Sequence, residues 1–306
     1  MTKISVVMSI YNGEQFIDES INSVLDQNFK NFEFLIMDDA SVDKTFEILK
    51  FYKKKNQKIK IFRNKNRIGL TKSLIRLISK AKGILIARLD VDDICQKNRL
   101  IIQKNWLLKS NKNALIGTSG YKININNEII GKYNLKNLKH DKLIKKLLFK
   151  NYLLHSSVMF KKKYYKIAGG YNPNYQFAQD YDLWLKISKH GNIKNINKNL
   201  VSIREHANSI SKIKRKQQSI NAFIISCLNQ TTNFKLNSYK NNKVLKQLSK
   251  ISDIKKHFNV MSYLYSEFIP SKFSKNIFQL NLNEFIYLLN DFSFFIRKTI
   301  RKYFTL

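Results

Sequence analysis

The chain has 306 residues, a mass of 36.2 kDa and 43% hydrophobic residues, enough for a sizeable core, which excludes a globally disordered protein. Its 56 Lys+Arg against 21 Asp+Glu give a formal charge of +35, so the surface attracts anions such as nucleotide phosphates, acidic lipid headgroups or nucleic acid. Two cysteines, Cys95 and Cys227, fit neither a disulfide framework nor a zinc site, and no run reaches the roughly 18 apolar residues of a membrane-spanning helix.

Ile4 to Ile10 predicts a buried strand, closed by the turn signal Tyr11-Asn12-Gly13. A helical pattern follows, with Phe16, Ile17, Ile21, Val24 and Leu25 on one face. Phe32 to Met37 is the next apolar run, and it stops at Asp38-Asp39. Ser41 to Tyr52 reads as a helix with Ser41 at its N-cap, and Lys58 to Arg63 as a third strand. Thr71 to Ala81 reads as a helix, and Ile84 to Leu89 as a fourth strand running into Asp90. Strands alternating with helices imply a parallel α/β sheet with right-handed crossovers. The middle is more mixed: strands over 115–125, 128–133 and 156–160, a helix over 139–149, an amphipathic helix from Asp180 to Lys189, and a last strand from Leu200 to Arg204. Near residue 210 the alternation stops and helical, Lys-rich segments take over, which predicts domains at 1–210 and 211–306. The first divides into halves of about 1–100 and 101–210. The N-terminus has one charge before a short apolar run and lacks the features of a signal peptide, so a cytosolic protein is expected.

Acidic residues are scarce, yet seven of the 21 fall in three tight groups: Asp38-Asp39, Asp90-Val91-Asp92-Asp93 and Asp180-Tyr181-Asp182. Asp after a strand is common as a turn residue or helix cap, which accounts for any one group. Three groups in so basic a chain point to a site. Successive strand ends of a parallel sheet lie at one edge, so residues far apart in sequence meet there. Carboxylates brought together repel unless a cation binds them, and oxygen ligands favour Mg²⁺ or Mn²⁺.

At these residues the sequence resembles the family 2 glycosyltransferases, which have the GT-A fold. The matching pieces stand in order: Ser5 to Asn12, Ser20 to Gln27, Phe34 to Ser41, Asn66 to Leu70, Ala81-Lys82-Gly83, Ala87 to Asp93, Asn98-Arg99-Leu100, His155 to Phe160, Gly169-Gly170-Tyr171, Gln179 to Leu185, and Arg204-Glu205-His206 with Ser209-Ile210-Ser211. They cover roughly residues 3 to 212. The resemblance implies a Rossmann-type, mostly parallel sheet flanked by helices, followed by a mainly helical extension. It implies that Ser9, Tyr11 and Asp39 hold the base and ribose of a nucleotide-sugar donor. Asp90, Asp92 and Asp93 look like the DxD-type element that binds the donor diphosphate through a divalent metal, and His206 matches a position near that metal. Asp180 matches the catalytic base; Gln179 departs from the Glu often found before it, which leaves Asp182 as an alternative base. UDP is the expected nucleotide, and the expected acceptor is a hydroxyl of a glycan or lipid-linked sugar in bacterial surface polysaccharide or lipopolysaccharide assembly.

Such a transfer needs neutralisation of the leaving diphosphate, a positioned carboxylate for the acceptor proton, and in-line placement of the two substrates. One base and direct displacement invert the anomeric centre. Arg88, beside the acidic element, is a candidate donor contact, whereas Arg67 and Lys72 read better as solvated cations. The aromatic, cationic stretch Phe285 to Phe304 could lie in an anionic membrane interface or pack back on the catalytic domain. Two rival classes remain: a nucleic-acid-binding protein, for which no recognisable module is present, and a nucleotidyltransferase or metal-dependent phosphodiesterase, against which the order of motifs argues.

Overall fold

The computed structural model describes residues 3–148, 150–207 and 209–231. The aromatic, cationic stretch considered above for a membrane interface lies outside the described residues. The first half alternates strand and helix: β1 (Ile4–Ile10), α1 (Ile17–Leu25), β2 (Phe32–Asp38), α2 (Thr45–Lys55), β3 (Ile59–Arg63), α3 (Leu70–Lys80) and β4 (Leu85–Arg88). β1, β2 and β4 are buried at every residue, which is why they read as continuous apolar runs rather than as alternating ones. All are parallel, in the order β3-β2-β1-β4, with Val6 facing Phe34 on one side and Ala87 on the other.

The second half is mixed. It comprises β5 (Ile94–Cys95), α4 (Arg99–Lys109), β6 (Asn113–Ile123), β7 (Ile129–Tyr133), α5 (His140–Leu147), a single 3₁₀ turn (His155–Ser157), β8 (Met159–Lys161), α6 (Lys162–Ile167), α7 (Gln179–Ser188), β9 (Asn192–Arg204), α8 (Ile210–Ile213) and α9 (Arg215–Thr231). Short β8 joins the halves by pairing antiparallel to both β4 and β6. β6 and β9 run parallel, β5 lines the far edge of β9, and β7 folds back on β6. The core lies between the parallel strands and the helices, where Val6, Met8, Phe34 and Ala87 meet Ile17 and Ile21 of α1 and Leu100 and Leu107 of α4.

Three sequence expectations are corrected. Ser41 does not cap α2: its amide donates to Asp38 Oδ1 and its Oγ accepts from the Asn12 amide, so it belongs to the turn after β2 and the helix starts at Thr45. Ser156 and Ser157 lie in the 3₁₀ turn, and the strand starts at Met159. The boundary expected near 210 falls inside a compact unit that continues through α9, where Asn221 Nδ2 donates to the Phe177 carbonyl and α9 packs on α7.

Candidate active site

The carboxyl ends of β1, β2 and β4 share one edge of the parallel half. The loops that follow them touch. The Asp39 amide donates to the Ile10 carbonyl, Ser20 Oγ to the Asp90 carbonyl, and a Cβ built on Gly13 would lie 2.8 Å from Val91. Two of the three acidic groups therefore lie at the same sheet edge, on either side of the loop after β1.

Asp38 and Asp39 divide their work. Buried Asp38 turns inward, ion-paired with Arg63 at 2.9 Å. Asp39 Oδ1 accepts from Asn64 Nδ2 and from the Ile68 amide, and its Oδ2 from the Gly69 amide, so it pins the 64–69 loop at the strand edge. Ser9 lies near the end of β1 and is 8% exposed. The Tyr11 ring is covered by the Arg67 guanidinium at 3.7 Å, so Arg67 is a stacked cation rather than a merely solvated one.

After β4, fully buried Arg88 donates from Nη2 to Asp90 Oδ1, and its Nε and Nη1 have no hydrogen-bond partner among the described residues. Ser156 Oγ donates to Asp90 Oδ2 at 2.7 Å, and the Asp90 amide donates to the same Oγ. Burial pushes the Asp90 carboxyl up, but Arg88, His155 and Ser156 together outweigh it and hold it below the usual range. Asp92 Oδ2 lies 3.1 Å from His206 Nε2, and both side chains are partly exposed. Asp93 sits behind that pair: it is 4% exposed and its Oδ1 accepts from the Arg204 amide. Burial, then the Asp92 and Asp90 charges, push its carboxyl well above the ordinary value.

The third group comes from the second half. A hydrogen bond from the Thr71 side-chain Oγ1 to the Tyr175 carbonyl ties the start of α3 to the loop ahead of α7. That loop ends at Ala178 in the left-handed region (φ 61°), and Asp180 follows in the first turn of α7, where the helix dipole favours a carboxylate. Asp180 Oδ2 accepts from Asn151 Nδ2 at 2.8 Å. His155 links this group to the first: its Nδ1 is 3.9 Å from Asp90 Oδ2, its Nε2 is 3.0 Å from the Tyr171 hydroxyl, and it feels the Asp180 charge. Burial, then Arg88, holds the His155 pKa below its ordinary value, so the ring is neutral near pH 7. Asp182 points elsewhere, into an ion pair with Lys186 at 2.6 Å, and burial raises its pKa.

Asp92 and His206 supply a carboxylate oxygen and an imidazole nitrogen at the site, a donor pair whose chemistry would suit a divalent cation. Among the described residues no three His, Cys, Asp or Glu side chains form a complete protein cage. Sequence reasoning missed Asn151, which stands in no motif, and gave no role to Ser156 or Arg204, although both lie in quoted motifs.

A parallel α/β half with carboxylates at its strand ends, joined to a mixed half that presents one further carboxylate, defines an α/β enzyme with its site at the sheet edge. The chain belongs to glycosyl transferase family 2: the sequence model of that family matches residues 5–167. It is 36% identical to the O-antigen biosynthesis glycosyltransferase WbnJ of Escherichia coli, over 68% of this chain and 82% of that one. It is 33% identical to the E. coli UDP-Glc:alpha-D-GlcNAc-diphosphoundecaprenol beta-1,3-glucosyltransferase WfgD, over 70% and 81% of the two chains. The fold resembles that of S. aureus TarS 1–349 in complex with UDP, with a TM-score of 0.60 at 17% identity, over 92% of this chain and 76% of that one. The protein is thus a glycosyltransferase of the GT-A fold. Among the described residues no helix is long and apolar enough to cross a membrane.

Proposed function

We propose that the enzyme moves a sugar, with inversion, from a UDP-sugar to a hydroxyl of a glycan or lipid-linked acceptor in bacterial surface polysaccharide assembly. The observation that carries this reading is the placement of Asp180. It is held by Asn151 and coupled through His155 to Asp90, so a lone carboxylate faces the acidic strand-end element. The names of WbnJ and WfgD support the setting and the UDP donor.

In this reading Ser9, Tyr11 and Asp39 receive the nucleoside, and Asp90, held from behind by buried Arg88, lies against the ribose and diphosphate. Asp92 and His206 hold Mn²⁺ or Mg²⁺, which when bound supplies Lewis-acid neutralisation of the leaving diphosphate. Asp180 accepts the proton of the acceptor hydroxyl as its oxygen bonds to the anomeric carbon. The C–O bond to the diphosphate breaks on the opposite face, and the configuration inverts. Buried Trp184 and Tyr181 back the first turn of α7 and shield Asp180 from water on that side. The enzyme works at the cytoplasmic face of the membrane, where nucleotide sugars and lipid-linked acceptors meet, and its positive charge draws it to anionic lipid.

The test is incubation with UDP-sugars and a lipid-diphosphate sugar acceptor, with Mn²⁺ or with EDTA, following UDP release. Asp180→Asn abolishes transfer and leaves UDP affinity near that of the wild type. Normal turnover by that variant, or release of pyrophosphate in place of UDP, overturns the reading.

A further inference from the structure

Arg204, at the carboxyl end of β9, is unlike every other cation among the described residues. Its side chain is 1% exposed, and all five guanidinium N–H groups are matched by acceptors from three separate segments. Nε donates to the Asp92 carbonyl at 3.0 Å. Nη1 donates to the carbonyls of Asn124 and Ile125, at 2.9 and 3.2 Å. Nη2 donates to Glu19 Oε2 at 2.6 Å and to Asn127 Oδ1 at 2.7 Å. Its own amide donates to Asp93 Oδ1 at 3.0 Å. The guanidinium lies 4.8 Å over the Phe16 ring, whose other neighbour is the His206 ring at 5.1 Å. One residue thus ties α1, the turn between β6 and β7, and the Asp90–Asp93 loop to a point two residues from His206.

The consequence is geometric. Asp92 comes from the loop between β4 and β5 and His206 from the segment after β9. β5 pairs with β9, Ile94 facing Ser202 and Cys95 facing Val201, which brings the two backbones together but leaves the loop and the two side chains to be oriented. Their 3.1 Å separation depends on what fixes these two segments to each other. Arg204 does so from both sides, through the Asp92 carbonyl and the Asp93 carboxylate, while Phe16, held under its guanidinium, packs on the imidazole. We infer that Arg204 is a positioning residue that sets the separation and orientation of the Asp92–His206 pair, and thereby the affinity of that pair for a divalent cation. The inference rests on the proposed reading of that pair as the cation site. Glu19 is the second anchor of the device, because its carboxylate fixes the far end of the guanidinium fork. Lysine cannot replace the fork: a single ammonium cannot span acceptors in three directions.

The experiment measures Mn²⁺ binding to the full chain by electron paramagnetic resonance, in the presence of UDP, alongside thermal melting, for the wild type, Arg204→Lys, Glu19→Gln and Asp92→Asn. Loss of a group that orients a ligand costs about 10–100-fold in metal affinity, and that is the drop expected for Arg204→Lys in its folded fraction. Glu19→Gln is expected to lower affinity in the same direction by a smaller factor, and it covers the case in which the lysine variant does not fold. If both variants lose only melting temperature and bind Mn²⁺ as the wild type does, while Asp92→Asn does not bind, the positioning role is overturned and the cation site stands. If the wild type itself binds no Mn²⁺, the cation site falls and the positioning role with it.

Discussion

Asn151 Nδ2 donates to Asp180 Oδ2 at 2.8 Å, and no described residue contributes a hydrogen bond to the other oxygen of that carboxylate. One oxygen is therefore anchored, and in the proposed mechanism the other is the one that receives the acceptor proton. A general base contributes about 10²–10⁴ in rate, and a fraction of that depends on its orientation. Asn151→Ala is expected to lower kcat by about 10-fold with the donor KM little changed. Steady-state kinetics with a UDP-sugar reads this directly, and an unchanged kcat would mean that the anchor is idle.

Asp182 provides the matching control. Residues two apart on a helix point roughly 200° from each other, and here Asp182 turns to Lys186 while Asp180 turns to Asn151. Asp182→Asn is expected to keep kcat close to the wild type and to change stability little, because the burial of the carboxylate already offsets its pairing with Lys186. Kinetics and melting of the same preparation check both expectations. A collapse of kcat would make Asp182 the base.

Much of this arrangement is legible in the sequence, for physical reasons. Strands buried on both faces, such as β1 and β2, leave largely apolar runs, and Tyr11-Asn12-Gly13 after β1 and Asp38-Asp39 at the end of β2 stop them at the edge where ligands bind. α4 is not legible, because its buried face carries polar residues. Arg99 and Gln103 are fully buried, donating to the carbonyls of Arg88, Val158, Ile116 and Ser157, so the helical period of apolar residues is broken where the helix packs most tightly. The first half of β9 is hidden in Asn and Lys, with only Ile193 and Asn195 turned fully inward. Asp180 is legible through its motif, but its partner Asn151 is not, since one Asn in an Asn-rich chain carries no pattern.

Glu33 carries a pH dependence remote from the chemistry. It lies near the amino ends of the parallel strands, opposite the site, where Ser5 Oγ and the Lys82 amide donate to Oε1 and Lys60 Nζ to Oε2. Burial pushes its pKa up, but these donors more than offset that, and the folded value lies below the ordinary one. A depressed folded pKa means stability that is present above the unfolded value of about 4.3 and lost as pH falls through the folded value. Glu33→Gln is expected to cost about 2 kcal/mol at neutral pH. Urea titrations at neutral and acidic pH should show that gap narrowing below the unfolded pKa, with transfer activity at neutral pH retained.

Gly83 reports on the same edge. A Cβ there would lie 2.5 Å from the Ser5 backbone nitrogen and 2.7 Å from the Ile4 carbonyl carbon, so the turn into β4 could accept it only by moving away from β1. Gly83→Ala is expected to destabilise the fold by about 2 kcal/mol, the scale of overpacking. Chemical denaturation checks it, and a neutral result would mean that the turn yields.

Asp92 and Asp93 are adjacent in sequence and occupy different surroundings. Asp92 meets His206 at the exposed side, while buried Asp93 accepts from the Arg204 amide with Oδ1. An asparagine at 93 still offers an acceptor oxygen to that amide, so Asp93→Asn should fold and bind Mn²⁺ close to the wild-type affinity. An asparagine at 92 removes the anionic oxygen from the pair, and Asp92→Asn should lose more than the roughly 10–100-fold that an indirect contact costs. Mn²⁺ titrations of both variants decide the matter. Equal losses would bring Asp93 into the ligand set, and the loop after β4 would then have to open to expose it.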